Sequence, residues 1–445
     1  MPFKGEIASG DSLITIANSK VLADFKGKIK PLEERVQTYQ IDQLILQRDK
    51  KKIEHVVVLD GSIISHRIEN GFPGAEVSLL QVALVILDLS KLDVSSQSSV
   101  IPPNTFQEME KVFTLQEVLP GCNVISDKEE PPLNFLRSSV YNLFLNCKID
   151  DNHETLLETF LSVMEKKSTT KMKCPIYKCG QEIFMDNNTD TCPMCKGQLY
   201  PTDRLRFSEL FNDLSTNFGC HAQIMNAIEL FVLINILRFF CTEENKEVLR
   251  TVAFVKDGPL AAFGQLATTV PQIRSELKRL NMKTRALIDE DIILFSIVKT
   301  GAMVEHLEYL DFCENNGPNK KFPPQTVLCP SIKYIHENIV FREIPLSMSD
   351  HCWGENPPQY FGRVVFYKSK SEKLLTINIA RLNDICDDLF NTTKDAYPRL
   401  EEILDICDEL SSYLFENGFI PLIRAHSHAA IPFKRGKQIL KELFK

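Results

Sequence analysis

The chain has 445 residues and a mass of 50.8 kDa, too long for one ordinary domain and sufficient for two or three. Apolar residues make up 44% and charged residues 25%, a globular balance that excludes disordered and collagen-like chains. The formal charge of −8 excludes a histone-like coat of positive charge, so any contact with nucleic acid must be local or carried by metal.

The start, MPFKGEIASGDS, has no basic region followed by an apolar core, so an unexported chain in the reducing cytoplasm is expected. The most apolar stretch, Ala222–Cys241, is interrupted by Gln223, Asn226, Glu229, Asn235 and Arg238, which argues against a membrane span. Of the thirteen cysteines, nine are scattered and four are clustered, the pattern of free thiols plus one metal site.

Residues 1–51 read as an N-terminal helical segment, with Pro31 opening a helix that ends in the basic run 48–52. Val56–Leu59 reads as a buried strand bounded by Gly61, and Val77–Leu89 as its partner. Residues 93–132, rich in Ser, Pro and Glu, read as a long irregular connection, and 133–166 as helical. Leu205–Leu214 and Ala222–Phe240 are expected to be helices, Thr251–Val255 a strand, Pro271–Asn281 a helix and Ile292–Val298 a strand. Phe361–Tyr367 and Leu374–Ile379 are expected to form a hairpin. Tyr397–Asn417 reads as a helix, Phe419–Arg424 as a strand and Lys434–Phe444 as a closing helix. The alternation of strands and helices points to an α/β fold.

Residues 168–202 differ in composition and read as an insertion. Cys174-x4-Cys179-x12-Cys192-x2-Cys195 has the spacing of a zinc ribbon, in which two knuckles present four thiolates tetrahedrally to one zinc ion. Such a closed site leaves no position for water, so the zinc would be structural. Gly180 and Gly197 are expected to relax the turns. A loop this small cannot bury enough surface to fold alone, and the metal would supply the difference.

Asp60 and Asp257 each end an apolar strand and precede a glycine, a position that projects a carboxylate from a rigid sheet edge. Taken singly, each is equally a turn-forming Asp-Gly pair. Glu229 lies within the apolar text QIMNAIELFVLINILRFF, where a carboxylate must find a counter-charge, a metal or a solvated stripe. Three such carboxylates suit the binding of one or two divalent cations for phosphodiester cleavage, and all-oxygen ligation favours magnesium or manganese over zinc.

In order, VVVLDGS, a Glu-bearing helix, FVKDGPL, a strand ending VKTG and a C-terminal RAHSHAAI resemble the motifs of NurA nucleases. The resemblance runs from about residue 52 to 445, outside the cysteine insertion. It implies a ribonuclease-H-like mixed sheet flanked by helices, a nuclease core in two parts (52–167 and 203–445) around the ribbon, and manganese-dependent DNA cleavage. It also implies a homodimer partnered by a HerA-like hexameric ATPase, in repair or in defence against phage. By position, Asp60 and Asp257 match the family's metal-binding aspartates and Glu229 its glutamate, with Glu247 as competitor. His426 matches the C-terminal histidine, with His428 the near alternative, and Lys299 matches a basic residue that touches phosphate. Two basic stretches are candidate DNA contacts: Arg274, Lys278, Arg279, Lys283 and Arg285, and the tail Lys434, Arg435, Lys437, Lys441 and Lys445. Each is equally a solvated helix face. No Gly-rich run ends in Gly-Lys-Ser/Thr, so ATP-driven movement must come from a partner. The competing reading is a ribonuclease-H-like and zinc-ribbon module that docks DNA or a motor without cutting.

Overall fold

The computed structural model describes residues 10–28, 42–43, 53–68, 71–91, 110–164, 170–186, 188–315, 322–340, 359–383, 396–411, 418–431 and 438–442. The chain divides into two units, Met1–Tyr39 and Gln40–Lys445. The first contains the helices α1 (Gly10–Ala17) and α2 (Lys20–Lys28). The helix expected from Pro31 lies outside the described residues, except that Asp42–Gln43 forms a short strand, β1, instead.

In chain order, the second unit continues with β2 (His55–Arg67), β3 (Glu76–Asp88), β4 (Glu110–Pro120), α3 (Pro132–Asn146) and α4 (Leu156–Met164). The cysteine segment follows, with β5 (Thr170–Lys173), β6 (Glu182–Met185), β7 (Asp190–Thr191) and β8 (Gln198–Leu199). Next come α5 (Phe218–Phe240), α6 (Lys246–Leu249), β9 (Val252–Asp257), α7 (Val270–Ile288), β10 (Ile293–Val298) and α8 (Ala302–Asn315). The last elements are β11 (Thr326–Leu328), α9 (Ile332–Ile335), β12 (Gly362–Lys368), β13 (Leu374–Ala380), α10 (Leu400–Glu409) and α11 (Ile420–Ala429).

Among the described residues, nine strands form one mixed sheet in the order β1-β11-β12-β13-β10-β9-β2-β3-β4. Within it, β2, β3 and β4 are antiparallel, whereas β2, β9 and β10 are parallel. This is a ribonuclease-H-like arrangement: a three-stranded meander whose first strand opens a parallel ladder. Strict alternation assigns each side chain to a face. Val57 and Leu59 of β2 and Val252 and Phe254 of β9 pack with α3, α4, α5 and α7 in one core. Val56, Val58, Ala253 and Val255 pack with α10 and α11 in the other. Helix α5 is buried on nearly all sides, which explains its apolar composition: it is the one described helix long and apolar enough to cross a bilayer, yet it serves as a core helix.

Several elements differ from the sequence reading. Gly61 does not end β2, which runs on to Arg67 because β3 pairs with it throughout, from His55↔Asp88 to Arg67↔Glu76. Residues 110–120 form a strand, β4, inside the segment read as irregular, because its edge position leaves polar side chains on an exposed face. Leu205–Leu214 is not a helix but two short 3-10 turns, Pro201–Leu205 and Phe207–Leu210, joined at the left-handed Arg206. The stretch read as a strand at Phe419–Arg424 is the start of α11. Pro421 sits in its first turn, and Leu422, Ala425 and Ala429 recur at helical spacing on the buried face. Residues 438–442 are helical, the described part of the closing helix.

Candidate functional site

The parallel ladder between β2 and β9 ends at Leu59↔Lys256, so Asp60 and Asp257 follow a paired position on strands that lie about 4.8 Å apart. By alternation both face α11. The turn after Asp257 requires Gly258, whose φ is +73°. Each aspartate accepts a hydrogen bond from the amide of the glycine that follows it, at 2.9 Å in both cases. His426 of α11 lies with Nδ1 2.9 Å from Asp60 Oδ2. Lys299, just past the end of β10, donates to Asp257 Oδ2 at 2.8 Å.

Glu229 approaches from the opposite face, on α5. Gly61 provides the opening: a Cβ there would stand 2.3 Å from Glu229 Oε1. A second ammonium enters on this side, since Lys256 Nζ lies 3.3 Å from Glu229 Oε2 and donates to the Asp257 carbonyl at 2.8 Å. Asp60 and Glu229 are buried, at 6% and 7% exposure. Burial and then the charge of Asp257 push the Asp60 carboxyl above its ordinary range, against the hydrogen bond and charge of His426 and the charge of Lys299. Burial likewise pushes Glu229 up; Lys256 opposes the shift, and Asp60 and Asp257 add to it. Asp60 and Glu229 are therefore only partly compensated by the cations beside them. Asp60 and Asp257 on one face of the sheet and Glu229 on the other offer hard oxygen donors, the type that magnesium and manganese take, with the His426 imidazole beside Asp60. The carboxylates are more widely spaced than the cysteine sulfurs described below.

The competing candidates lie elsewhere. Glu247 is on α6, not in a loop, with its side chain 78% exposed and Arg250 3.8 Å away. His428 points to Glu110 of β4, with Nε2 3.0 Å from Oε2, and Arg424 donates to the same carboxylate. That cluster ties α11 to the sheet edge. Burial raises the Glu110 pKa, but the hydrogen bonds from Arg424 and His428 outweigh it and hold the group below its ordinary value. Lys256 was not singled out in the sequence, although it adjoins Asp257 within FVKDGPL. Glu110 was hidden in the segment read as irregular.

The four cysteines Cys174, Cys179, Cys192 and Cys195 bring their sulfurs within 4.8 Å of one another. Cys174 and Cys195 are 3.9 Å apart and Cys179 and Cys192 are 3.7 Å apart, close to the roughly 3.8 Å edge of a tetrahedron with 2.3 Å Zn–S bonds. Burial raises the Cys192 thiol, but hydrogen bonds from the amides of Cys195 and Met194 and from the Cys174 and Cys195 thiols together bring it down to about 7. The two hairpins β5–β6 and β7–β8 enclose a core of only six buried residues, among them Met172, Ile183 and Leu199. The knuckles turn left-handed at Lys178 (φ 59°) and Lys196 (φ 60°) as well as at Gly180. Gly197 serves a different purpose from the one expected, because a Cβ there would stand 2.8 Å from Ile176.

Of the basic residues of α7, Arg274, Arg279 and Arg285 are paired within the chain, Arg279 and Arg285 with side chains still 44% and 58% exposed. Arg274 donates to the Tyr360 carbonyl, Arg279 to Glu276 at 2.6 Å and Arg285 to Asp291 at 2.6 Å. In the basic tail, Lys441 is described and exposed, while Lys434, Arg435, Lys437 and Lys445 lie outside the described residues.

No protein-family model matches the sequence, and no match is found among curated proteins. Among solved structures, the chain is similar to the NurA nuclease from Sulfolobus solfataricus, at 13% identity and a TM-score of 0.32 over 97% of this chain and 94% of that one. A second NurA structure is similar at 11% identity and a TM-score of 0.24, over 98% and 97% of the two chains.

Proposed function

We propose that the protein is a divalent-metal-dependent DNA nuclease of the NurA type that hydrolyses phosphodiester bonds. The observation that supports this reading is that Asp60 with His426, Asp257 with Lys299, and Glu229 beside Gly61 all lie around the end of the β2–β9 ladder. Manganese or magnesium, when bound there, supplies charge neutralisation at the scissile phosphate and activation of water. Asp60, Glu229 and Asp257 hold the cation. His426, whose side chain is 64% exposed, stands between Asp60 and solvent and is placed to complete the ligand set or pass a proton to the leaving oxygen. Lys299 is 46% exposed and able to leave Asp257 for a phosphate oxygen, where its charge offsets that of the transition state. Zinc on the four cysteines has a structural role. The chain acts as a cytoplasmic homodimer on DNA delivered by a HerA-like hexameric ATPase, in end processing or anti-phage defence.

The test is cleavage of linear and circular DNA with manganese, magnesium or chelator, with and without a HerA-like ATPase. Metal-dependent degradation that vanishes in Asp60→Asn and Asp257→Asn supports the reading. Degradation that persists in Asp60→Asn removes the assignment, and binding of DNA without any cleavage favours the docking module.

A further inference from the structure

The cysteine segment is mounted on the core through buried arginines. The Met164 carbonyl, at the end of α4 before the segment begins, accepts from the Arg204 guanidinium at 2.9 Å. At the exit, Arg137 of α3 donates to the Gln198 carbonyl at 2.8 Å and holds the Asp203 carboxylate with two hydrogen bonds of 2.8 and 2.6 Å, both side chains being buried. Tyr200 stacks on Tyr141 of α3 with ring centroids 4.8 Å apart. The outer side chains of the segment are therefore presented from a mount anchored in the core.

Those side chains have a consistent chemistry. Strands β5 and β6 pair from Thr170↔Met185 to Lys173↔Glu182, and alternation turns Met172, Ile183 and Met185 inwards, where they are buried. Lys171, Lys173 and Phe184 share the outer face, with Phe184 directly opposite Lys171 and 70% exposed. On the first knuckle Tyr177 is 63% exposed, and Lys178 Nζ lies 4.9 Å from its ring centre. On the second, Met194 is 67% exposed, two residues before the exposed Lys196. Each of these large exposed apolar side chains thus has a lysine beside it, and the knuckles CPIYKCG and CPMCKG contain no carboxylate.

An exposed ring with an ammonium at its side suits a nucleotide: the ring stacks on the base and the lysine meets the phosphate. A duplex keeps its base faces covered, so the strand that fits is single. With zinc bound, the four thiolates leave two net negative charges, which Lys178 and Lys196 offset, so the knuckles do not repel phosphate. On the hairpin face two lysines meet one carboxylate, Glu182. Its contact with Lys171, at 3.0 Å, is an exposed ion pair that a phosphate can replace at little cost. We propose that the outer surface of the cysteine segment is a platform for single-stranded DNA, with Phe184 and Tyr177 stacking on bases and Lys171 and Lys173 contacting the flanking phosphates. The inference takes its ligand class from the nuclease reading above, but none of its residues belongs to the carboxylate site.

The test is titration of a thymidine oligonucleotide carrying one 2-aminopurine, whose fluorescence is quenched by stacking, with the full-length, zinc-loaded chain and no added manganese or magnesium. Phe184→Ala and Tyr177→Ala should each weaken binding about fivefold or more and reduce the quench, and Phe184→Trp should retain both. Phe184→Leu keeps apolar area without a stacking face and should behave as Phe184→Ala. Because both side chains point outwards, zinc content and melting temperature should stay at wild-type values, which separates a lost contact from a lost fold. Undiminished affinity in a zinc-loaded Tyr177→Ala/Phe184→Ala protein, retention of binding in Phe184→Leu, or no binding of the oligonucleotide by the wild type overturns the proposal. If the double variant keeps its affinity for DNA and instead loses a HerA-like ATPase, the surface belongs to a protein partner and the proposal also falls. Manganese-dependent cleavage of duplex DNA by the wild type and the double variant is scored separately: its persistence leaves the nuclease reading standing when the platform fails, and its absence in the wild type removes that reading whatever the oligonucleotide does.

Discussion

At the scale of single residues, the site depends on what is missing at position 61. With a Cβ placed 2.3 Å from Glu229 Oε1, Gly61→Ala forces the carboxylate to move, because the sheet backbone is held by pairing on β3. A displacement of about 1 Å in a catalytic group costs roughly a hundredfold in rate. Cleavage by Gly61→Ala should fall by about that factor with little change in melting temperature, and an unaltered rate would place Glu229 outside the chemistry. The raised carboxyl at Asp60 makes a second prediction, and its sign follows from linkage. A carboxyl whose folded pKa lies above its unfolded value of about 3.9 favours folding when protonated. The metal-free protein therefore loses stability as pH rises from the unfolded value through the folded one. Removing the charge removes that penalty. Metal-free Asp60→Asn should melt above the wild type at pH 7, and the difference should shrink towards pH 3. A wild type that melts higher at pH 7 would show that His426 and Lys299 fully compensate the carboxylate.

At the scale of elements, legibility in the sequence followed burial. The strands buried on both faces, β2, β3, β9 and β10, are continuous apolar runs and could be read directly. Edge strand β4 carries Glu110, Lys111, Gln116 and Glu117, so its composition resembles a loop, and its identity depends on thirteen-residue β3 offering it a partner. The error at Phe419–Arg424 has a similar origin: a short apolar run is ambiguous between strand and helix, and tertiary packing of Leu422 and Ala425 decided it. The Asp-Gly pairs at 60 and 257 were visible in one dimension, but only Asp257 ends its strand; Asp60 lies inside β2, where only the ladder with β9 stops. The Glu229–Lys256 contact was not visible, because it joins a helix to a strand across the sheet. The cysteine segment was legible from spacing alone, and its small core yields a prediction. Six buried residues cannot hold two two-stranded sheets together without metal. Strong chelation should expose the amides of residues 170–199 to hydrogen exchange while β2 and β3 stay protected. Metal analysis before chelation should find one zinc per chain. Loss of protection in β2 at the same chelator concentration would mean that the ribbon supports the whole fold.

At the scale of the whole molecule, charge bears on the proposed encounter with DNA. The net charge of −8 opposes long-range attraction, and the strongest basic stretch is already committed: Arg274 to a backbone carbonyl, Arg279 to Glu276 and Arg285 to Asp291. Guanidinium groups paired this way must give up a partner before they can take a phosphate. Few counterions should then be released on binding. With about two phosphate contacts, affinity for DNA should fall only about tenfold between 50 and 200 mM salt, against roughly a thousandfold or more for a protein making six. Charge reversal at Arg274 should lower the melting temperature, because it removes the hydrogen bond from the guanidinium to the Tyr360 carbonyl, and should leave the salt dependence unchanged. A steep salt dependence that flattens in this variant would return α7 to the DNA path. A shallow one fits the proposed reliance on a motor: if a HerA-like ATPase delivers DNA to Asp60 and Asp257, adding it with ATP should raise the rate most at high salt, where unaided binding is weakest.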